Sequence, residues 1–417
     1  VPEHWNLKRF GYLFDENKKK NIGLKETNVL SLSYGNIKEK NIDDNKGLLP
    51  ESFETYQIIE PNNIVFRFTD LQNDKRSLRS AISKYHGIIT SAYIAVKTKQ
   101  NADFYNYLFR AYDLQKVFYS MGEGMRQSLK MDELNKMPVV LPNKDEQKRI
   151  VSFLDTETAR IDTLIAKQEK LIELLEEQRK SIISHAVTKG LNPNAPMKDS
   201  GVEWLGDVPE HWMTPSSKHL LEIPITDGPH ETPNFVDDGV PFTSAEAKKK
   251  KKIDFDKKRG YITPELNAIY SKKYSPKIED IYMVKSGATT GKVAMVETTE
   301  EFNIWSPLAV FRCNKNKVLP KFLLAVFNSS HFYDALVLNW SYGTQQNIGM
   351  GVLSNIEIPC PPLKEQAEII QHLDAQNTKF DKLISTQSQL IEKLKEYRSS
   401  IISHAVTGKI DVREFGA

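Results

Sequence analysis

The chain has 417 residues, 40% of them hydrophobic and 27% charged, with a formal net charge of +3. That length exceeds one ordinary core, so two or more domains are expected, while so small a net charge does not by itself announce nucleic acid. Two cysteines without CxxC spacing argue against a disulfide framework or a zinc finger and for a reducing, cytoplasmic setting, and no apolar run approaches the ~20 residues of a membrane span.

The chain begins with VPEHW (residues 1–5), and the same five residues return at 208–212. The string MKDSGVEWLGD (197–207) precedes the second copy and has no counterpart ahead of Val1, so the natural protein is expected to start upstream. Residues 1–142 mix short β-rich runs (64–68, 88–96) with turns and read as an α+β globule. Its loops hold two basic clusters. LQNDKRSLRS (71–80) places Lys75, Arg76 and Arg79 together, and MGEGMRQSL (121–129) sets Arg126 and Gln127 after a flexible Gly-Glu-Gly.

A long helix is predicted next, within 143–190. Residues 191–212 form a linker with two prolines and the start of the second copy. A second α+β globule covers 213–360, with strands at 281–284 and 309–312 and a short helix near 321–328. It carries a lysine run (248–252), the string SGATTGK (286–292) with Ser286, Thr289, Thr290 and Lys292, and GTQQNI (343–348) with Gln345, Gln346 and Asn347. A second long helix and a tail fill 361–417. GIITSAYIAVK (87–97) matches FNIWSPLAVFR (302–312), and 141–188 matches 360–407 at half of the positions, both segments ending in SIISHAVT. The chain is therefore two copies of one scaffold carrying different payloads.

The matched segments 146–188 and 365–407 are rich in Leu, Ile, Glu, Gln and Lys and contain no Pro or Gly. Apolar residues step by four and three: Ile150, Leu154, Ile161, Leu164, Leu171, Leu175 and Ile182 in the first, and Ile369, Leu373, Phe380, Leu383, Leu390, Leu394 and Ile401 in the second. This heptad seam predicts that the two helices pair as a coiled coil about 60 Å long, core helices of a bundle being the plainer reading. Two seam positions are polar in both copies, Glu157 with Gln376 and Gln168 with Gln387. In an antiparallel pair the two central glutamines could meet and set register, or else lie at a wet edge.

Enzyme motifs are scarce. GATTGKV (287–293) resembles a phosphate loop, but only three residues precede its Gly-Lys, and Val293 stands where a magnesium-binding Ser or Thr is required. The nine histidines show no ligand spacing, and His185 and His404 recur with the repeated helix, so neither a metal nor a cofactor is expected and no residue is assigned to catalysis. The polar loops suit DNA better. Arg and Lys match guanine edges, Gln and Asn match adenine edges, and Ser, Thr and backbone amides reach phosphates. Arg126-Gln127 and Gln345-Gln346 align as one loop with different reading chemistry, although any single polar loop is equally read as solvated. The lysine run reads as a phosphate clamp or a solvated loop.

Taken together, the duplicated plan, SGATTGKVAMV, GTQQNIGMG, LKEQ, DLQNDKRSLRS followed by GIITSAY, and the two helices ending in SIISHAVT resemble the specificity subunits of type I restriction–modification systems over essentially the whole chain. SGATTGKV has no close counterpart in the first copy, where residues 66–80 take its place. The resemblance implies two target-recognition domains, each reading one half of a split double-stranded DNA site, and an antiparallel coiled coil that spaces them. It implies two copies of an S-adenosylmethionine-dependent adenine-methylation subunit and added restriction/motor subunits as partners, with no activity in the chain alone. A coiled-coil scaffold with two protein-binding heads is the alternative, and it predicts no salt-dependent affinity for DNA.

Overall fold

The computed structural model describes residues 1–41, 52–69, 78–121, 128–245, 248–249, 252–339, 341–342 and 346–413, with the backbone alone at 248–249, 252–253, 341–342 and 346. The chain forms two compact units, Val1–Glu169 with Ser388–Ala417, and Lys170–Gln387. Two long helices, Lys144–Lys189 and Leu363–Val406, each contribute to both units. The first is nucleated by a reciprocal cap: Asn143 accepts from the Glu146 amide (2.9 Å) and Glu146 accepts from the Asn143 amide (3.3 Å).

In the first unit, β1 (Phe14–Glu16), β2 (Ile64–Phe66), β3 (Ser80–Ile82) and β4 (Ile94–Thr98) form an antiparallel sheet ordered β1-β4-β2-β3, followed in the chain by α1 (Ala102–Leu114). The β2 sequence IVF is buried throughout, as β-branched and aromatic residues suit a strand covered on both faces. Phe10, Phe14 and Phe109 pack with its Phe66, and Ile150, Leu154, Ile161, Ile401, Ile402 and Val406 from the long helices close the same core.

The second unit contains β5 (Thr226–Asp227), α2 (Pro264–Ser271), β6 (Ile281–Val284), β7 (Val293–Met295), β8 (Leu308–Phe311) and α3 (Pro320–Phe327). Its sheet runs β5-β8-β6-β7, the same plan strand for strand. Trp212, Met283, Phe311 and Phe322 pack there with Ile183, Val187, Ile369 and Leu373 of the long helices. In the connection between the copies, Met197–Asp199 pairs with Asp207–Pro209 as a small hairpin, which the two prolines of that stretch had not suggested.

The duplication extends to single hydrogen bonds. Glu146 holds His4 Nε2 (2.7 Å) and Trp5 Nε1 (3.3 Å), and Glu365 holds His211 Nε2 (2.7 Å) and Trp212 Nε1 (3.1 Å). The fully buried Gln147 donates to the Pro142 carbonyl (2.9 Å) and accepts from the Asn101 amide at the start of α1 (3.0 Å). Gln366, also fully buried, donates to Pro361 (2.8 Å) and accepts from Leu319 at the start of α3 (2.8 Å). Each glutamine thus ties the first turn of a long helix to the helix that follows the sheet.

Within each unit the long helices run antiparallel. Asp162 pairs with Arg398 in the first (2.8 Å) and Arg179 with Asp381 in the second (2.6 Å), the same two repeat positions exchanging roles. The expected seam holds near the helix ends but not throughout. Leu171, Leu383 and Leu390 are exposed, and Ile391 is buried where the heptad had placed Leu390. A straight α-helix drifts against a strict heptad, so the buried stripe moves by a residue along its length.

Candidate nucleic-acid interface

Antiparallel pairing brings the connections of the second sheet to one end. β6 ends at Val284 opposite Leu308, the first residue of β8, and β7 begins at Val293 opposite Met283. Lys285 donates its amide to Pro307 (2.8 Å), its carbonyl accepts from Ile348 (2.8 Å), and Ser286 bridges Asn347. The SGATTGK loop therefore lies beside the Gln346–Asn347 strand, joining Ser286, Thr289, Thr290, Lys292 and Asn347 at one place.

The loop is a hairpin turn between two strands and leads into no helix, so it lacks the helix N-terminus on which a phosphate loop depends. Gly287 and Gly291 take φ of 98° and 83°, which L side chains rarely adopt. Thr290 is buried, and its hydroxyl donates to the Gly287 carbonyl (2.6 Å), locking the turn. Ser286 and Thr289 are half-buried, and Lys292 is exposed. Gln345 lies outside the described residues, and for Gln346 only the strand backbone is described.

A cluster that the sequence reading missed lies at the same end. Asp227, the last residue of β5, is 9% exposed at its side chain and pairs with Lys273 Nζ (2.6 Å), Lys285 Nζ (3.2 Å) and His230 Nε2 (3.2 Å). Burial pushes its carboxyl up, but hydrogen bonds and charge from the two lysines outweigh that and leave it below the ordinary aspartate value. The 228–231 loop is pinned around it. Pro229 accepts from the Ser306 amide (3.2 Å), and the Glu231 carbonyl accepts from Trp305 Nε1 (3.1 Å). Glu231 Oε1 also accepts from Tyr270 (3.1 Å), and a Cβ at Gly228 would collide with the Ile304 carbonyl. The only sequence cue was the turn string TDGPHETP (226–233); the two lysines are far away along the chain.

In the first unit the residues that flank the corresponding loops are bonded alike. The Leu129 amide donates to Phe68 (3.3 Å) as Ile348 does to Lys285, and Arg67 donates to Arg79 (2.8 Å) as Val284 does to Lys292 (2.9 Å). The β2–β3 connection thus takes the place of SGATTGK, as the alignment of residues 66–80 anticipates. Lys75, Arg76, Arg126 and Gln127 lie outside the described residues. Arg79 is fully buried: its amide donates to Asp113 (2.5 Å), its guanidinium to the Thr69 carbonyl (3.2 Å), and in this conformation it offers no surface to a duplex. Burial raises the Asp113 carboxyl, which the Arg79 amide and the charges of Arg110 and Arg79 only partly offset.

On the long helices Gln168 and Gln387 are half-buried, and Gln168 Oε1 is buried with no hydrogen-bond partner. Among the described residues no group of His, Cys, Asp and Glu could hold a metal ion, and no helix is long and apolar enough to cross a membrane.

Comparison with known proteins bears on the whole chain. The family model for the type I restriction modification DNA specificity domain matches residues 81–174 and 220–396, more than half of the chain. The type I restriction enzyme MjaVIII specificity subunit of Methanocaldococcus jannaschii is 25% identical over 99% of this chain and 94% of its own length. Among solved structures, a chain of a type I R-M system studied for complex assembly and conformational transition superposes with a TM-score of 0.70 at 16% identity, covering 98% of this chain and 99% of that one. The HsdS subunit from Thermoanaerobacter tengcongensis superposes with a TM-score of 0.55 at 16% identity, covering 98% of both chains.

Proposed function

This chain belongs to the type I restriction–modification DNA specificity family, and on that premise we propose that each of its sheets reads one half of a split, asymmetric double-stranded site with the loops at one sheet end. The observation that carries the reading is the contrast within the repeat: identical sheet order and identical scaffold hydrogen bonds, with different residues at the loop end. A repeat that served only as structure would have no reason to carry different polar loops on the same sheet order and the same scaffold bonds.

In the second unit Ser286, Thr289, Lys292, Gln345, Gln346 and Asn347 are the groups offered to DNA; in the first, Lys75, Arg76, Arg126 and Gln127 are. Arg79 and Thr290 act behind them as supports for the loops. Such a division suits DNA, where phosphate contacts set position and base-edge contacts set sequence. The expected domains at 1–142 and 213–360 are the reading heads. The helices at 143–190 and 361–417 set the distance between half-sites, with Gln168 and Gln387 as the polar positions that hold register.

The repeated scaffold surfaces dock two identical adenine-methylation subunits, which supply S-adenosylmethionine chemistry, and restriction/motor subunits join for cleavage. Two repeated surfaces on one chain suit two copies of one partner. The test is to co-express the chain with a methylation subunit encoded beside it and to map N6-methyladenine across the host DNA. A split, asymmetric motif that appears only when this chain is present is expected. A stable complex that adds no new methylation and binds no DNA would favour a protein-binding scaffold instead.

A further inference from the structure

The scaffold residues recur in both copies, but the Asp227 cluster does not. Lys285, which follows β6 and accepts from Ile348, corresponds by its backbone bonds to Phe68, which follows β2 and accepts from Leu129. Phe68 is packed on Phe66 and Phe118 at centroid distances of 5.1 and 4.9 Å. The second unit has therefore placed a charged group where the first has an aromatic one, at the loop end that carries the divergent residues.

The cluster has a surplus of positive charge and a definite direction. One almost buried carboxylate faces two ammonium groups and an imidazole. Lys285 is 13% exposed and ties the carboxylate to the root of the SGATTGK loop, whereas Lys273 is 52% exposed at its side chain and opens to solvent. Lys273 Nζ is held by Asp227 Oδ1 (2.6 Å) and lies 3.4 Å from the Gly228 carbonyl. A surface lysine ordinarily loses side-chain entropy when it binds a phosphate; one already held in place loses less.

We propose that Lys273 is a DNA backbone-phosphate contact of the second unit and that Asp227 is the residue that positions it, joined through Lys285 to the root of the SGATTGK loop. This rests on the reading that the unit engages duplex DNA, and it adds a contact on one half-site only. The ligand chemistry is a phosphate diester in a duplex; free inorganic phosphate is the other source of the same oxygens.

The experiment measures binding of the full chain, in complex with its partner subunits, to mixed-sequence duplex DNA as a function of salt, with inorganic phosphate as a competitor in a second arm. Lys273→Gln should flatten the slope of log Kobs against log salt by about 0.9, the loss of one phosphate contact, and weaken binding equally on all sequences. Lys273→Arg should restore the slope. Asp227→Asn removes a negative charge, so charge alone would tighten binding; loss of positioning weakens it. An unchanged slope in Lys273→Gln with a wild-type melting curve, or tighter binding by Asp227→Asn, overturns the proposal. Competition by millimolar inorganic phosphate with no slope change would assign the cluster to free anions and equally reject the DNA contact. A wild-type complex without salt-dependent DNA affinity would instead defeat the DNA-reading function, and this site with it.

Discussion

The two units differ least at the first turns of the long helices and most at the loop ends of their sheets. Around the helices Trp5 and Trp212, Glu146 and Glu365, and Gln147 and Gln366 make the same bonds to the same kinds of partner. At the loop ends one unit has a buried arginine beside Asp113 and an aromatic stack, and the other has a glycine-bounded hairpin and a lysine–aspartate cluster. Leaving a buried polar group unpaired is costly, so changing one scaffold residue penalises the partners it strands; a loop residue facing solvent carries no such penalty. Duplication can therefore vary the loops while the scaffold stays fixed.

The broadest test of that contrast exchanges residues 213–355 for the corresponding segment of another family member. One half of the methylated motif should change completely and the other not at all; a change in both halves would break the one-unit, one-half-site relation. Next in size is the insertion of four residues into each long helix. Each helix gains about 6 Å, close to two base-pair steps of a duplex with ~3.4 Å per step. The gap between half-sites in the methylation map should widen while both halves persist. An unchanged gap would remove the helices' role as a spacer.

The scaffold itself is tested by Gln147→Leu and Gln366→Leu. Each leaves a half-buried amide and a buried carbonyl without that partner, a loss of about 1–3 kcal/mol for the buried group and less for the other. Because the two sites are built alike, thermal melting should show similar losses for both variants. A large loss in one and none in the other would mean that the scaffold has diverged along with the loops. The smallest effect is expected from Gln168→Leu. Its Oε1 is buried without a partner, so the substitution removes a desolvation cost and should raise the melting temperature by a few degrees. A fall would show that the glutamine is a net stabiliser of the helix pair.

Much of this organisation was legible before any coordinates. The SIISHAVT and VPEHW repeats announced the duplication, and absence of Pro and Gly announced the long helices. The candidate site was less legible. Arg79 and Lys292 looked alike as basic loop residues, yet one is fully buried and the other exposed. Thr290 looked like a phosphate ligand, and its hydroxyl bonds to its own turn.

The sequence by itself determined the repeat, the two long helices, the α+β character of the two heads and the family, because periodicity, composition and motif order are properties of neighbours along the chain. Only the tertiary structure decided that Ile391 and not Leu390 is buried, which polar side chains are spent internally, and that Asp227 gathers His230, Lys273 and Lys285. Those outcomes depend on strand pairing and helix drift that bring distant residues together, and no local pattern in the chain encodes which of them will meet.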